Sequence, residues 1–365
     1  MKRWIAFLLL GMFTLPATTE VVNRDEPLNG DWDLRAETVW EMTDYGKKTM
    51  AQPNVAAVLA DGTLCVFDYK QTMNYIFTGE GRFVASFGKK GEGPGEIKNQ
   101  RGVFALSDGF VVVGYLRLHY FSSGGSYRET RLFTGADGYP RGFINRDEYI
   151  SLGYGPDNRY ELKQIDLKTP SRRLIKRIDF REVNFASTGR VITIVIPPLT
   201  PQIVCGIDPI NRCIIYGRND QYKIFQVDFN GSKNVAFSLL RESISLTRKM
   251  KKRVSKEMHL SEKMWNRLPK TLTHFSEIQI EKGYVLAHVM YFEELRPRQQ
   301  IDIFSPEGRY LYRTVFSAAP GEMISTSFSY PIILKGNHIY AAIQDENGDM
   351  KVVKYKISLP WRGAD

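Results

Sequence analysis

The side chains with the greatest chemical reach in this 365-residue sequence are guanidiniums recurring at one position of a repeated pattern. Arg101-Gly102-Val103-Phe104 and Arg141-Gly142-Phe143-Ile144 lie forty residues apart, and each opens an apolar run. Aligning six such runs places Asn54, Arg101, Arg141, Gln202, Phe275 (with His274 beside it) and Tyr330 at equivalent positions. Two guanidiniums from neighbouring units can clamp a carboxylate, sulfate or phosphate bidentately, with Tyr330 or Phe275 as a flat apolar contact. The same arginines could instead only cap backbone carbonyls between units.

Other chemistries are poorly provided for. The five histidines (His119, His259, His274, His288, His338) form no H-x-x-x-H or H-x-H pair of the kind that ligates zinc. There is no G-x-S-x-G nucleophile elbow. The glycines of 88–95 are not followed by Lys-Ser or Lys-Thr, so they permit a tight crossover rather than cradle a phosphate. Asp345-Glu346-Asn347-Gly348-Asp349 lacks the rest of a calcium-loop pattern and is expected to be a hairpin turn. No cofactor is predicted, although carboxylates from different units could still converge on an axis. Cys205 and Cys213 flank a turn and could pair across it; buried free thiols are the favoured alternative.

What positions these residues is a repeat. Six times an apolar run breaks at a tight polar turn and resumes, with turns near residues 61, 108, 146, 210, 282 and 336. Each unit continues with two further strands around a Gly- or Pro-containing turn, such as Gly79-Glu80-Gly81 or Asn230-Gly231. Four antiparallel strands recurring at this spacing predict a six-bladed β-propeller. The two longest intervals contain extra segments, 181–200 and 241–270. Unit six has three strands before the chain ends, and Thr38–Met42 is expected to supply the fourth and close the ring.

The 241–270 segment is predicted to be a helical insertion between blades four and five. Leu246, Met250, Val254 and Met258 recur every four residues, and Pro269 ends the pattern. It holds ten Lys/Arg against three Glu, which concentrates most of the formal charge of +10. A local patch of this kind argues against general nucleic-acid binding. It reads as a lid with a solvated charged face. The alternative is a docking helix whose Lys249, Lys251, Lys252 and Arg253 meet an anionic partner or membrane surface.

Residues 1–19 carry Lys2-Arg3, an apolar stretch Trp4–Leu15 and small residues at 17–19, as a cleaved export signal does. The stretch is short for a membrane span, so an uncleaved anchor is the secondary alternative. Residues 20–365 are then one exported propeller, periplasmic or extracellular, and expected to be monomeric.

Gly88-Lys89-Lys90-Gly91-Glu92-Gly93-Pro94-Gly95-Glu96, followed by Gln100-Arg101-Gly102-Val103, resembles the inter-blade loop of NHL-repeat-like, secreted bacterial six-bladed propellers. The resemblance covers roughly residues 53–133. It implies extracytoplasmic binding through the funnel or loop surface. The leading expectation is therefore a non-enzymatic binding or scaffold protein for a small anion, a glycan or a protein partner at the channel mouth. The alternative is a metal-dependent lactonase- or lyase-like propeller hydrolase.

Overall fold

The second strand of every unit is apolar at consecutive positions, as in Leu64-Cys65-Val66-Phe67 and Phe110-Val111-Val112-Val113. Such a run suits a strand covered on both faces. That is its situation: Leu64 and Val66 pack on one side, and Cys65 contributes to a separate cluster on the other. The computed structural model describes residues 20–361, apart from 47, 158, 170, 181–185, 188–189, 192–199, 233, 258–269, 294–295 and 325–331. The segment 1–19 expected to be an export signal, Tyr330 and most of the 181–200 segment lie outside the described residues.

The chain forms a six-bladed β-propeller of four-stranded antiparallel blades. The innermost strands are Pro53–Val58, Gly102–Leu106, Tyr139–Phe143, Ile203–Asp208, Glu277–Glu281 and Ile332–Lys335 in blades I to VI. Each meets the next around the ring, and the last meets the first. Because every blade runs up and down twice, all innermost strands begin at the same end of the channel. The inter-blade loops lie at that end too. Blade VI is completed by Ala36–Met42, antiparallel to Met350–Ile357.

Two features differ from the sequence expectation. Blade IV has a fifth strand, Glu20–Arg24, lying parallel to Asn234–Leu240. From there the chain crosses the outer edge of blade V, where Trp32 N–H donates to Arg313 O at 2.7 Å. This N-terminal strap thus pairs with two outer edges before closing a third blade, hiding backbone groups that would template aggregation. The two valines of 20–24 are too short an apolar run to predict a strand from sequence. Secondly, within the expected helical insertion 241–270 the described residues hold one helix, α1 (Arg248–Glu257), and 258–269 lie outside the described residues. Leu246 is buried and Met250 partly so, while Lys249 and Lys252 are exposed and Lys251 is half-buried. Arg253 lies within the same helix.

The glycine-rich crossover between blades I and II is built around one close approach. Gly88 has φ +69°, and a Cβ there would run into Ile97 Cδ1 and come within 3.0 Å of Asn74 Nδ2. Buried Asn74 exchanges two 2.9 Å hydrogen bonds with Gln100, the residue before Arg101. Gly88→Ala is expected to lose ~1–3 kcal/mol of stability by urea unfolding, through left-handed strain and displacement of Ile97. An unchanged midpoint would show that the loop relaxes freely.

Candidate binding site at the channel mouth

Arg101 immediately precedes the innermost strand of blade II and is exposed. Its guanidinium lies over the ring of Tyr139, 4.6 Å from the centroid, at the start of the blade III innermost strand. The residue therefore bridges two blades, and the cation–π contact holds it across the seam. Arg141 is exposed two positions further on, where the pairing register shifts between Pro140 and Gly142. A bulge of this kind re-aims a side chain out of the ladder. The Arg141 charge reaches Cys205 of blade IV, opposing the rise that burial imposes on that thiol.

Neither arginine has an ion-pair or hydrogen-bond partner for its guanidinium among the described residues. Most other arginines of the same blades are engaged: Arg128 with Asp108, Arg131 and Arg146 with Glu129, Arg159 with Asp157 and Arg172 with Asp137, whereas exposed Arg117 of blade II has no ion pair among the described residues. Asn54 is buried and lines a shallow, solvent-open cleft with Tyr69, Gln100, Arg101 and Gly102. Asn54, Arg101 and Arg141 thus form an arc over blades I to III. Gln202 holds the equivalent place in blade IV, its backbone N–H bound to Asn219 Oδ1 at 2.7 Å.

Blade V is arranged otherwise. His274 sits at the root of the basic insertion: its Nε2 is 3.2 Å from Ser243 Oγ, and its ring centroid is 5.7 Å from that of Tyr222. Phe275 is fully buried in the seam with blade IV, so it offers no surface to a ligand. The strand begins two residues later, at Glu277. Strand alignment by apolar character misses such an offset, and a carboxylate opening a strand is a weak signal.

Glu277 and His288 are directly opposed in the antiparallel register. They share the blade face from which Gln279 bonds Ile332 O and Leu334 N–H in blade VI. Gln299 Nε2 lies 3.1 Å from His288 Nδ1. With Gln299 donating, the imidazole keeps its proton on Nε2. Glu277 retains some exposure along its stem, yet its Oε2 is sealed; that atom and His288 Nε2 lack partners among the described residues. Burial pushes the Glu277 carboxyl up to about 8, against a weaker downward pull from Gln279, and pushes His288 down to about 4. Both side chains are mainly uncharged at pH 7.

Asp345 caps its own turn through the N–H groups of Asn347 and Asp349. The three cysteines are free thiols, and Cys205 stands opposite Tyr216 rather than Cys213. Among the described residues no three His, Cys, Asp or Glu side chains converge as a metal site requires.

No known family profile matches the chain, so the NHL-like resemblance of the 88–103 loop has no family match behind it. No curated protein matches either. Among solved structures, the chain is similar to a member of the DUF4221 family from Bacteroides vulgatus, at 10% identity and a TM-score of 0.52. The likeness covers 89% of this chain and 98% of that one. A protein of Bacteroides fragilis provisionally described as exported gives 11% identity and a TM-score of 0.50, over 93% and 100% of the two chains. At these identities the likeness is one of fold.

Proposed function

We propose that this protein is an exported, non-enzymatic binding propeller that holds a small anionic group at the mouth above blades I to III. The observation carrying the proposal is the pair Arg101 and Arg141 at equivalent places by the mouth, exposed and without ion pairs among the described residues while most arginines of the same blades form them. Arginine presents a planar donor fork that matches a carboxylate or sulfate, and stacking on Tyr139 pre-orders one of the two forks. Less rotamer entropy is then lost on binding. Asn54 and Gln100 line the adjoining cleft, with the Gln100 amide held in place by Asn74. Export is supported by the Lys2-Arg3 and Trp4–Leu15 segment.

The test is calorimetric titration with galacturonate, sulfate and inorganic phosphate. Arg101→Ala is expected to weaken the best of these at least about tenfold, the equivalent of ~1.4 kcal/mol. Arg101→Lys should recover only part, because a lysine donates from a point rather than a fork. Equal affinity in wild type and in the Arg101→Ala, Arg141→Ala double variant would remove the proposal.

A further inference from the structure

The ends of the second strands in blades I, II and III carry a repeated tyrosine. Leu64-Cys65-Val66-Phe67-Asp68-Tyr69 aligns without gaps on Phe110-Val111-Val112-Val113-Gly114-Tyr115 and on Tyr149-Ile150-Ser151-Leu152-Gly153-Tyr154. All three tyrosines are exposed, at 39%, 54% and 50%. The matching residue in blade IV is the buried Asn219, whose N–H donates to Gln202 O as Tyr69 N–H donates to Gln52 O, so the aromatic series stops there.

Each tyrosine is set at the loop-bearing end, at a different seam. Tyr69 lines the cleft between blades I and II. Tyr115 follows by two residues Val113, which packs between blades II and III. Tyr154 likewise follows Leu152, which packs between blades III and IV. Its ring leans on Tyr160 at 4.5 Å. Three large apolar rings at solvent are not required by the core, since the strands below them are already covered on both faces. Arg101 and Arg141 lie in the same arc.

We infer that this arc is a track for an acidic polysaccharide, with Tyr69, Tyr115 and Tyr154 stacking on sugar rings while Arg101 and Arg141 hold uronate carboxylates. It rests on the anion-binding reading of the two arginines. Aromatic rings are rigid, flat and amphipathic, so they bind the apolar face of a pyranose at little entropic loss. Facing sheets pack roughly 10 Å apart, which sets the interval between equivalent residues of adjacent blades. An extended chain of sugar rings can place every few rings on successive platforms at that interval. Bases stacked ~3.4 Å apart cannot share them while remaining stacked, so an acidic glycan fits better than a nucleic acid.

The test is calorimetry with monomeric galacturonate, hexagalacturonate and an oligouridylate of matching length. The hexamer should bind at least about tenfold more tightly than the monomer. Tyr115→Ala and Tyr154→Ala should each remove about tenfold from hexamer affinity, leave monomer affinity unchanged, and be rescued at position 115 by Tyr115→Phe. Hexamer binding no tighter than monomer, or insensitive to the tyrosines, overturns the track. The anion site would survive that outcome if the monomer still binds and Arg101→Ala abolishes binding. Absence of binding of either galacturonate to the wild type overturns the track, and the anion reading falls with it only when sulfate and phosphate also fail to bind. Tighter binding of the oligouridylate overturns the ligand class.

Discussion

Asp302→Ala is expected to lose ~3–5 kcal/mol of stability and to lower the melting temperature by roughly 5–10 °C. Asp302 is fully buried in blade V and accepts from Tyr222 Oη (2.6 Å), Tyr310 Oη (2.7 Å), Gln300 Nε2 (2.8 Å) and both terminal nitrogens of Arg241 (2.6 and 3.2 Å). Arg241 also reaches Asp25 in the N-terminal strap, which Arg313 grips through Asp25 Oδ1 and Asp25 O. The network therefore joins blade IV, blade V and the strap. Removing its central carboxylate leaves Arg241 largely buried with one half-exposed partner and strips two buried phenols of their acceptor. An uncompensated buried charge costs more than the pair contributed. Limited proteolysis within 20–35 should become faster in the variant as the strap loosens. A melting temperature within about 1 °C of wild type would show that Asp25 and solvent replace the lost carboxylate.

Glu277→Gln is expected to stabilise the protein, by ~2–4 kcal/mol more at pH 8 than at pH 5. Burial lifts the native carboxyl to about 8 from 4.5. The folded chain therefore keeps a proton that the unfolded chain releases, and stability is lost as pH rises from about 4.5 through 8. Glutamine has no proton to lose and keeps an amide that can accept from Gln279. His288 works in the opposite direction. Its native value of about 4 lies below 6.5, so stability is lost as pH falls through that window. His288→Asn should flatten the acid side only. Urea unfolding at both pH values checks this, and parallel pH profiles for wild type and Glu277→Gln would exclude a sealed, neutral carboxyl at the blade V and VI seam.

These two effects arise where sequence patterns were least informative. The six hairpins were legible because a strand buried on both faces must be apolar at consecutive positions, and the glycine-rich turns mark its ends. Arg101 and Arg141 could be aligned because Arg-Gly followed by two apolar residues repeats locally. Phe275, with His274 beside it, reads from sequence as the residue entering that inner strand, and the structure instead starts the strand at Glu277. The offset is invisible locally, since Phe275 is apolar for packing against blade IV and not as part of a strand.

From its residues alone this chain specifies six hairpin-built blades, a basic segment between the fourth and fifth, and two arginines at equivalent positions. Short-range periodicity encodes which faces are buried, and that suffices for a repeated unit. Tertiary structure decided the course of the strap, the Asp25, Arg241 and Asp302 network, and the opposition of Glu277 to His288. It also decided which arginines remain without carboxylates. Those outcomes depend on which blades become neighbours and on residues as far apart as Asp25 and Arg313, 288 positions, and neither charge pairing nor desolvation leaves a mark on adjacent residues.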